Sequence, residues 1–279
     1  TVIHQYKSNG YNIVMDVESG AVHVVDDVTY DVIALFEDTE ISKIVEQLSD
    51  KYDKADIEEA ISEVNQLKED GQLFTQDIYQ PFIEEFKDKR QTVVKALCLH
   101  IAHDCNLACK YCFAEEGEYH GRRAMMSFEV GKKALDFLVA NSGSRVNLEV
   151  DFFGGEPLMN WDVVKQLVEY GRSLEEPNHK KFRFTLTTNG VLLNDEIMEY
   201  LNKEMSNVVL SLDGRKEVND RMRPFRTGKG SYDLIVPKFQ KLAESRNQSN
   251  YYVRGTFTRD NLDFSEDVKH FADLGFKQM

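Results

Sequence analysis

Basic residues are scarce in this chain: 34 Lys and Arg face 48 Asp and Glu over 279 residues, a net charge of −14. That deficit argues against a polyanionic partner held by general electrostatics, so no nucleic acid is expected. Long apolar runs are missing too. No stretch approaches the roughly eighteen uncharged apolar residues of a membrane span, and Thr1 to Gly10 lacks the apolar core of a signal peptide. A cytosolic chain with no membrane partner is predicted. Cysteine is sparse, with four residues, too few for a disulfide scaffold in a chain this long. At 42% apolar and 29% charged residues the composition excludes disorder and collagen-like structure, and the length suffices for one large core or two.

The four cysteines are unevenly placed. Cys98 stands alone within Val93-Val94-Lys95-Ala96-Leu97-Cys98-Leu99, a nearly continuous apolar strand that predicts core packing. Cys105, Cys109 and Cys112 fall inside eight residues, and such crowding in a cytosolic chain points to a metal. Structural zinc wants four closed ligands, which His103 or His120 would have to complete. An iron–sulfur cubane held by three thiolates instead leaves one iron open to another ligand.

Two regions read differently. At the start, short apolar runs (Val2-Ile3, Ile13-Val14-Met15, Ala21 to Val25) separated by Ser8-Asn9-Gly10 and Ser19-Gly20 predict three small strands. Amphipathic helices follow at about Val28–Phe36, around Ile41-Ile44-Val45-Leu48 and around Ile57-Ile61-Val64-Leu67. Gly71 stops the third, and Leu73-Phe74 is expected to begin a closing strand. This is a small winged-helix-like α+β domain over 1–79, followed by a charged linker over 80–91. From 92 to 279 strands are expected at Val93–Ile101, Val146–Phe153, Phe182–Thr187, Val208–Leu212 and Tyr251–Phe257. They alternate with helices at about Phe128–Ala140, Trp161–Ser173, Asp195–Asn202, Tyr232–Ser245 and Phe264–Leu274. Alternation of this kind builds βαβ units around a parallel sheet or barrel. Five units are visible, and the chain stops at Gly275-Phe276-Lys277, where a sixth strand is due. An open edge there would be costly, so the expectation is that the protein continues or that a partner covers the edge. Tyr251, Tyr252 and Arg254 are placed on a strand facing the presumed cavity, where they would touch substrate, with barrel packing as the other reading.

Cys105-x-x-x-Cys109-x-x-Cys112, with Tyr111 before the last cysteine and a strand before the loop, resembles the signature of radical S-adenosylmethionine (SAM) enzymes. Phe153-Gly154-Gly155-Glu156-Pro157 resembles that family's GGE motif, and Thr187-Thr188-Asn189-Gly190 and Ser211-Leu212-Asp213-Gly214 resemble its nucleoside contacts. The resemblance implies an α/β fold with a partial (β/α)6 barrel. It implies a 4Fe-4S cluster on Cys105, Cys109 and Cys112. It implies SAM contacts from Tyr111, Gly154, Gly155, Glu156, Asn189, Ser211, Asp213 and Arg223, the last pairing with the methionine carboxylate. Arg221 and Arg226 are alternatives for that role, and Asn-Gly and Asp-Gly are also ordinary turn chemistry. In this family a 5′-deoxyadenosyl radical takes a hydrogen atom from the substrate, so no general base is assigned.

Three strands and three helices ahead of such a barrel resemble the PqqD-like element that binds leader peptides of ribosomally made natural products. The other reading is a zinc-binding, winged-helix regulator that binds DNA. Twelve acidic residues between Glu37 and Asp70 weigh against a duplex there. A peptide would add as a strand to the Ala21–Val25 edge. HDCNLACKYCFAEEGEYHG, DFFGGEPLMNW, LSLDGRKEVNDRMRP and NYYVRGTFT together resemble the maturases of SCIFF peptides, a SPASM-type subgroup that joins cysteine sulfur to an α-carbon as a thioether. That likeness implies a precursor peptide as partner and an electron donor such as flavodoxin or ferredoxin. The subgroup continues into a C-terminal SPASM domain with auxiliary 4Fe-4S clusters, whose cysteines this sequence does not contain. A sulfatase-maturase-like oxidation of a cysteine or serine side chain is the alternative chemistry.

Overall fold

The computed structural model describes residues 2–89 and 92–279 and divides the chain into two compact units, 1–91 and 92–279.

In the first unit, β1 (Ile3–Ser8), β2 (Tyr11–Asp16) and β3 (Val22–Val25) form an antiparallel sheet in that order. Asn9 and Gly10 turn the first hairpin at φ 50° and 82°, the positive pair that a two-residue turn requires. Helices α1 (Asp27–Leu35), α2 (Ile41–Leu48) and α3 (Lys54–Glu69) follow. The Asp26 carboxylate caps α1 by accepting from the Thr29 amide at 2.8 Å. Val14, Val32, Ile44, Ile57, Val64 and Leu73 are fully buried together.

Leu73 and Phe74 do not begin a strand. Phe74 turns at φ 54°, and the next residue is tied to the end of β2. The Thr75 amide and hydroxyl donate to Asp16 at 2.9 and 2.6 Å. The two apolar residues are therefore core plugs rather than ladder partners. In the expected linker, a 3-10 turn at Gln80–Phe82 runs into α4 (Ile83–Lys89).

The second unit is an α/β sheet in the order β5-β4-β6-β7-β8-β9. It contains β4 (Ala96–His103), β5 (Ala124–Met125), α5 (Phe128–Ala140), β6 (Asn147–Gly154), α6 (Trp161–Asn178), β7 (Lys181–Thr188), α7 (Asp195–Glu204), β8 (Asn207–Ser211), α8 (Lys216–Met222), α9 (Tyr232–Ser245), β9 (Tyr251–Arg254) and α10 (Phe264–Asp273). The five long strands are parallel, and the two-residue β5 alone runs antiparallel, against β4. One face of the strands packs on the helices: Ile101, Phe152, Phe184, Leu186 and Leu210 bury against Leu135, Leu167, Leu201 and Phe239.

The other face explains two departures from expectation. Cys98 is exposed rather than core, because β4 buries Leu99 and Ile101 on its helix side and turns Cys98 to the opposite side. Tyr251 is fully buried on the helix side, with its hydroxyl on Gln248, while Tyr252 and Arg254 lie on the opposite face. After α10 the chain returns to β9, where the Val253 amide donates to the Gln278 carbonyl at 2.9 Å. Among the described residues no helix is long and apolar enough to cross a membrane.

Candidate radical SAM site

The cysteine loop leaves the end of β4 and is fixed at its root by charge. Arg226 donates to Asp104 Oδ1 at 2.7 Å and to the Cys105 carbonyl at 2.5 Å, and Arg123 lies 3.3 Å from the same carboxylate. Burial works against the Asp104 charge, but Arg226, the Cys105 amide and Arg123 hold its carboxyl below the usual range. Farther along, the Ala108 and Lys110 amides donate to the carbonyls of Pro224 and Met222 at 2.8 and 2.9 Å, and Leu107 is fully buried. The segment after α8 thereby becomes the wall on which the loop rests.

Cys105, Cys109 and Cys112 all line one cavity. Burial pushes the free Cys105 thiol up to about 12 and raises Cys109 as well, so their thiolate forms call for a cationic partner. The Leu107 amide and Asn189 Nδ2 point at Cys105 Sγ from 3.5 and 3.6 Å, the kind of N–H···S contact that tunes iron–sulfur centres. No three His, Cys, Asp or Glu side chains among the described residues are gathered to hold a single ion. Thiols that share a cavity without closing on one point suit a cluster, where each binds a different iron, better than tetrahedral zinc. His103 stacks near Tyr119 at 4.9 Å and the exposed His120 pairs with Glu115 at 2.9 Å; neither lines the cavity.

Gly154 and Gly155 line the cavity because the backbone there has no room for a side chain. A Cβ on Gly154, at φ 120°, would sit 2.6 Å from the Ala102 carbonyl oxygen, and one on Gly155 would sit 2.0 Å from that of Asp104. The Gly155 and Glu156 amides donate to those same carbonyls at 2.7 and 2.9 Å, which joins the end of β6 to the root of the cysteine loop. Glu156 is fully buried beneath the cavity and does not line it. Its carboxylate accepts from Thr188 Oγ1 (2.8 Å), the Leu158 amide (3.0 Å) and the Asn189 amide (2.8 Å), fastening the ends of β6 and β7 together. Burial pushes the carboxyl up, against those donors and the Arg223 charge. Thr188→Val removes one donor from this buried acid and should cost about 1–3 kcal/mol, measurable as a lower midpoint in thermal unfolding.

The opposite wall carries Tyr111, Asp213 and Arg223. The Tyr111 hydroxyl donates to the Asp213 carboxylate at 2.8 and 2.9 Å, and Arg223 Nη1 donates to the Tyr111 oxygen at 2.6 Å. Asp213 also accepts from the Thr256 amide at 3.2 Å and stands behind the cavity rather than lining it. Burial pushes the Tyr111 phenol up and, despite Arg223, raises the Asp213 carboxyl too.

The three candidate arginines separate cleanly. Arg221 is exposed and reaches the Asp260 carbonyl, Arg226 clamps the loop root, and Arg223 is buried and lines the cavity. Burial opposes the Arg223 charge, but Cys109, Tyr111 and Asp213 hold it above its ordinary value. Its Nε has no partner among the described residues, which leaves a donor for an incoming carboxylate. Ser211, at the end of β8, lines the same cavity. Asn189 does so while bonding Asn106 through Nδ2 at 2.7 Å and accepting the Val191 amide at 3.0 Å. Its turn role and its site role therefore coexist. The clamp of Arg123 and Arg226 on Asp104 and the bond from Thr188 to Glu156 escape sequence reasoning, since nothing local marks partners that lie far away along the chain.

Residues 99–267, more than half of the chain, match the family model of the Radical SAM superfamily. The chain belongs to the radical SAM superfamily. That membership implies a 4Fe-4S cluster and SAM, and the three cysteines, the glycine pair and the free Arg223 donor fit them. The radical SAM cyclopropyl synthase TigE of Paramaledivibacter caminithermalis is 27% identical over 64% of this chain and 39% of its own length. The Fe-coproporphyrin III synthase of Methanosarcina barkeri is 36% identical over 67% of this chain and 41% of its own. The fold matches a structure of native anSMEcpe with bound AdoMet and Cp18Cys peptide at a TM-score of 0.58 and 23% identity, over 67% of this chain and 50% of that one. The chain thus spans well under two thirds of the length of these relatives.

Proposed function

We propose that this radical SAM enzyme modifies a ribosomally made precursor peptide and forms cysteine sulfur to α-carbon thioethers. The observation that carries the reading is the open edge of β3, which among the described residues pairs only with β2 and, with α3, borders a groove lined by His23, Val25, Glu63 and Leu67. Val22 and Val24 are exposed along that edge, so an extended leader can add as a fourth strand and set side chains against α3. This assigns residues 1–79 as a PqqD-like unit. Residues 92–279 bind the cofactors, with Cys105, Cys109 and Cys112 as cluster ligands and Arg223 at the SAM carboxylate. Gly154, Gly155, Asn189 and Ser211 frame the rest of SAM. Tyr111 and Asp213 hold Arg223 in place. When bound, the reduced cluster and SAM supply the 5′-deoxyadenosyl radical that takes a hydrogen atom from the substrate. Auxiliary clusters and a flavodoxin- or ferredoxin-type donor belong to the same proposal.

Mass spectrometry of a treated precursor tests the reaction. A thioether removes two hydrogens and protects the thiol from alkylation without creating a carbonyl. A carbonyl product would favour the second reading, to which a 28% match over 151 residues to the cysteine-type anaerobic sulfatase-maturating enzyme of Clostridium novyi lends support. Deleting residues 1–79 is expected to abolish leader-peptide affinity, measured by fluorescence anisotropy. Affinity that survives the deletion removes the leader-binding assignment.

A further inference from the structure

The face of the sheet turned away from the helices carries a polar layer below the cofactor cavity. Register sets Cys98 of β4 beside Asp151 of β6, Asp151 beside Thr185 of β7, and Thr185 beside Asn207 of β8. These four side chains, with Tyr252 of β9, line a second cavity of about 670 Å³. Asp151 and Thr185 lie two residues before Phe153 and Thr187, which line the cofactor cavity. The two levels are therefore roughly 7 Å apart along the strands. A substrate residue close to the reacting one can span that separation.

Two acceptors in this layer are unused. Asp151 Oδ1 and Asn207 Oδ1 are buried and have no hydrogen-bond partner among the described residues. Unpaired acceptors are costly to bury, and neither serves the cofactor site described above. Arg254 is the charged neighbour above them, while Glu149 and Arg183, which pair at 3.9 Å, line the cavity one level below. Arg254 favours ionised Asp151 while burial pushes that carboxyl up, but it sits over the Phe153 ring, 5.7 Å from its centroid, and leaves Asp151 Oδ1 unpaired. None of the layer's own donors, the Thr185 hydroxyl, Asn207 Nδ2 and the Cys98 thiol, is paired with these two oxygens, and a cation would also find the Tyr252 ring at the cavity wall.

We propose that this layer is a specificity subsite for a cationic, lysine-type side chain of the substrate peptide, with Asp151 and Asn207 as its acceptors. The inference rests on the peptide reading above but not on the radical chemistry, so binding to the whole chain without cofactors tests it alone. The probes are N-acetyl-Gly-Lys-Gly-amide and its norleucine counterpart, titrated by calorimetry into wild type and Asp151→Asn. Wild type is expected to bind the lysine peptide about tenfold more tightly than the norleucine peptide, and Asp151→Asn to bind both alike. Asp151→Asn should also melt no lower than wild type, since the lost carboxylate oxygen has no partner. Equal binding of the two peptides by wild type, binding of neither, lysine preference surviving in the variant, or a lowered melting midpoint would each overturn the subsite. A chain that cleaves SAM yet shows no lysine preference loses this inference alone. One with the preference but no SAM cleavage loses the earlier reading.

Discussion

Replacing Cys109 by alanine is expected to bring both retained iron and reductive SAM cleavage down to background, while the apoprotein keeps its melting midpoint to within a few degrees. Cys109 lines the cavity without belonging to either hydrophobic core, so its loss removes a proposed ligand and little packing. Cys105→Ala and Cys112→Ala should behave alike for iron, because each removes one of the three thiolates proposed to hold the cluster. Cys98→Ala is the matched control. Cys98 is exposed on the face turned away from the helices and lines the second cavity, so iron should be unchanged. Iron analysis and absorption spectra of anaerobically reconstituted variants check the set. Iron retained by Cys109→Ala at the wild-type level would remove the loop from the cluster assignment.

The second large effect is expected at Gly155. An added methyl would meet the Asp104 carbonyl oxygen at 2.0 Å, and backbone on both sides is already hydrogen-bonded, so neither strand end can withdraw freely. Gly155→Ala should cost about 3 kcal/mol, which lowers the melting midpoint by about 10 °C in a unit of this size. Gly228 supplies the contrast, because its positive φ of 83° faces open space. Gly228→Ala should cost only about 1–2 kcal/mol from backbone strain. Differential scanning calorimetry of the two variants separates steric collision from conformational strain. Equal midpoints would show that the end of β6 is looser than the interlocked amides imply.

The glycine motif and the cysteine spacing were legible because each is local. A bond between neighbours in sequence, or a turn that needs a missing Cβ, leaves its mark within a few residues. The alternation of strands and helices was legible for the same reason, down to near-correct limits for α5, β6, α9 and β8. What could not be read was the side of the sheet. Leu97, Cys98 and Leu99 form one apolar run, yet only the helix-facing alternate is buried, since the opposite face of this sheet lines a cavity. The clamp made by Arg226, Asp104 and Arg123 was hidden because Arg226 lies 122 positions from Asp104. Short α8 was hidden by its length, as seven residues give too few turns for a periodic pattern. Glu156 shows a motif residue whose place in the sequence was clear and whose environment was not. It sits under the cavity as a fully bonded link between two strand ends.

The central claim is that the Cys105, Cys109 and Cys112 loop holds an iron–sulfur cluster that works on SAM. Anaerobic reconstitution of the wild-type chain, followed by reduction with dithionite and quantification of 5′-deoxyadenosine, tests it most directly. One 4Fe-4S cluster in this loop is expected, with 5′-deoxyadenosine formed only with reductant and SAM together. Bound zinc, or a chain without iron that leaves SAM intact, would contradict it.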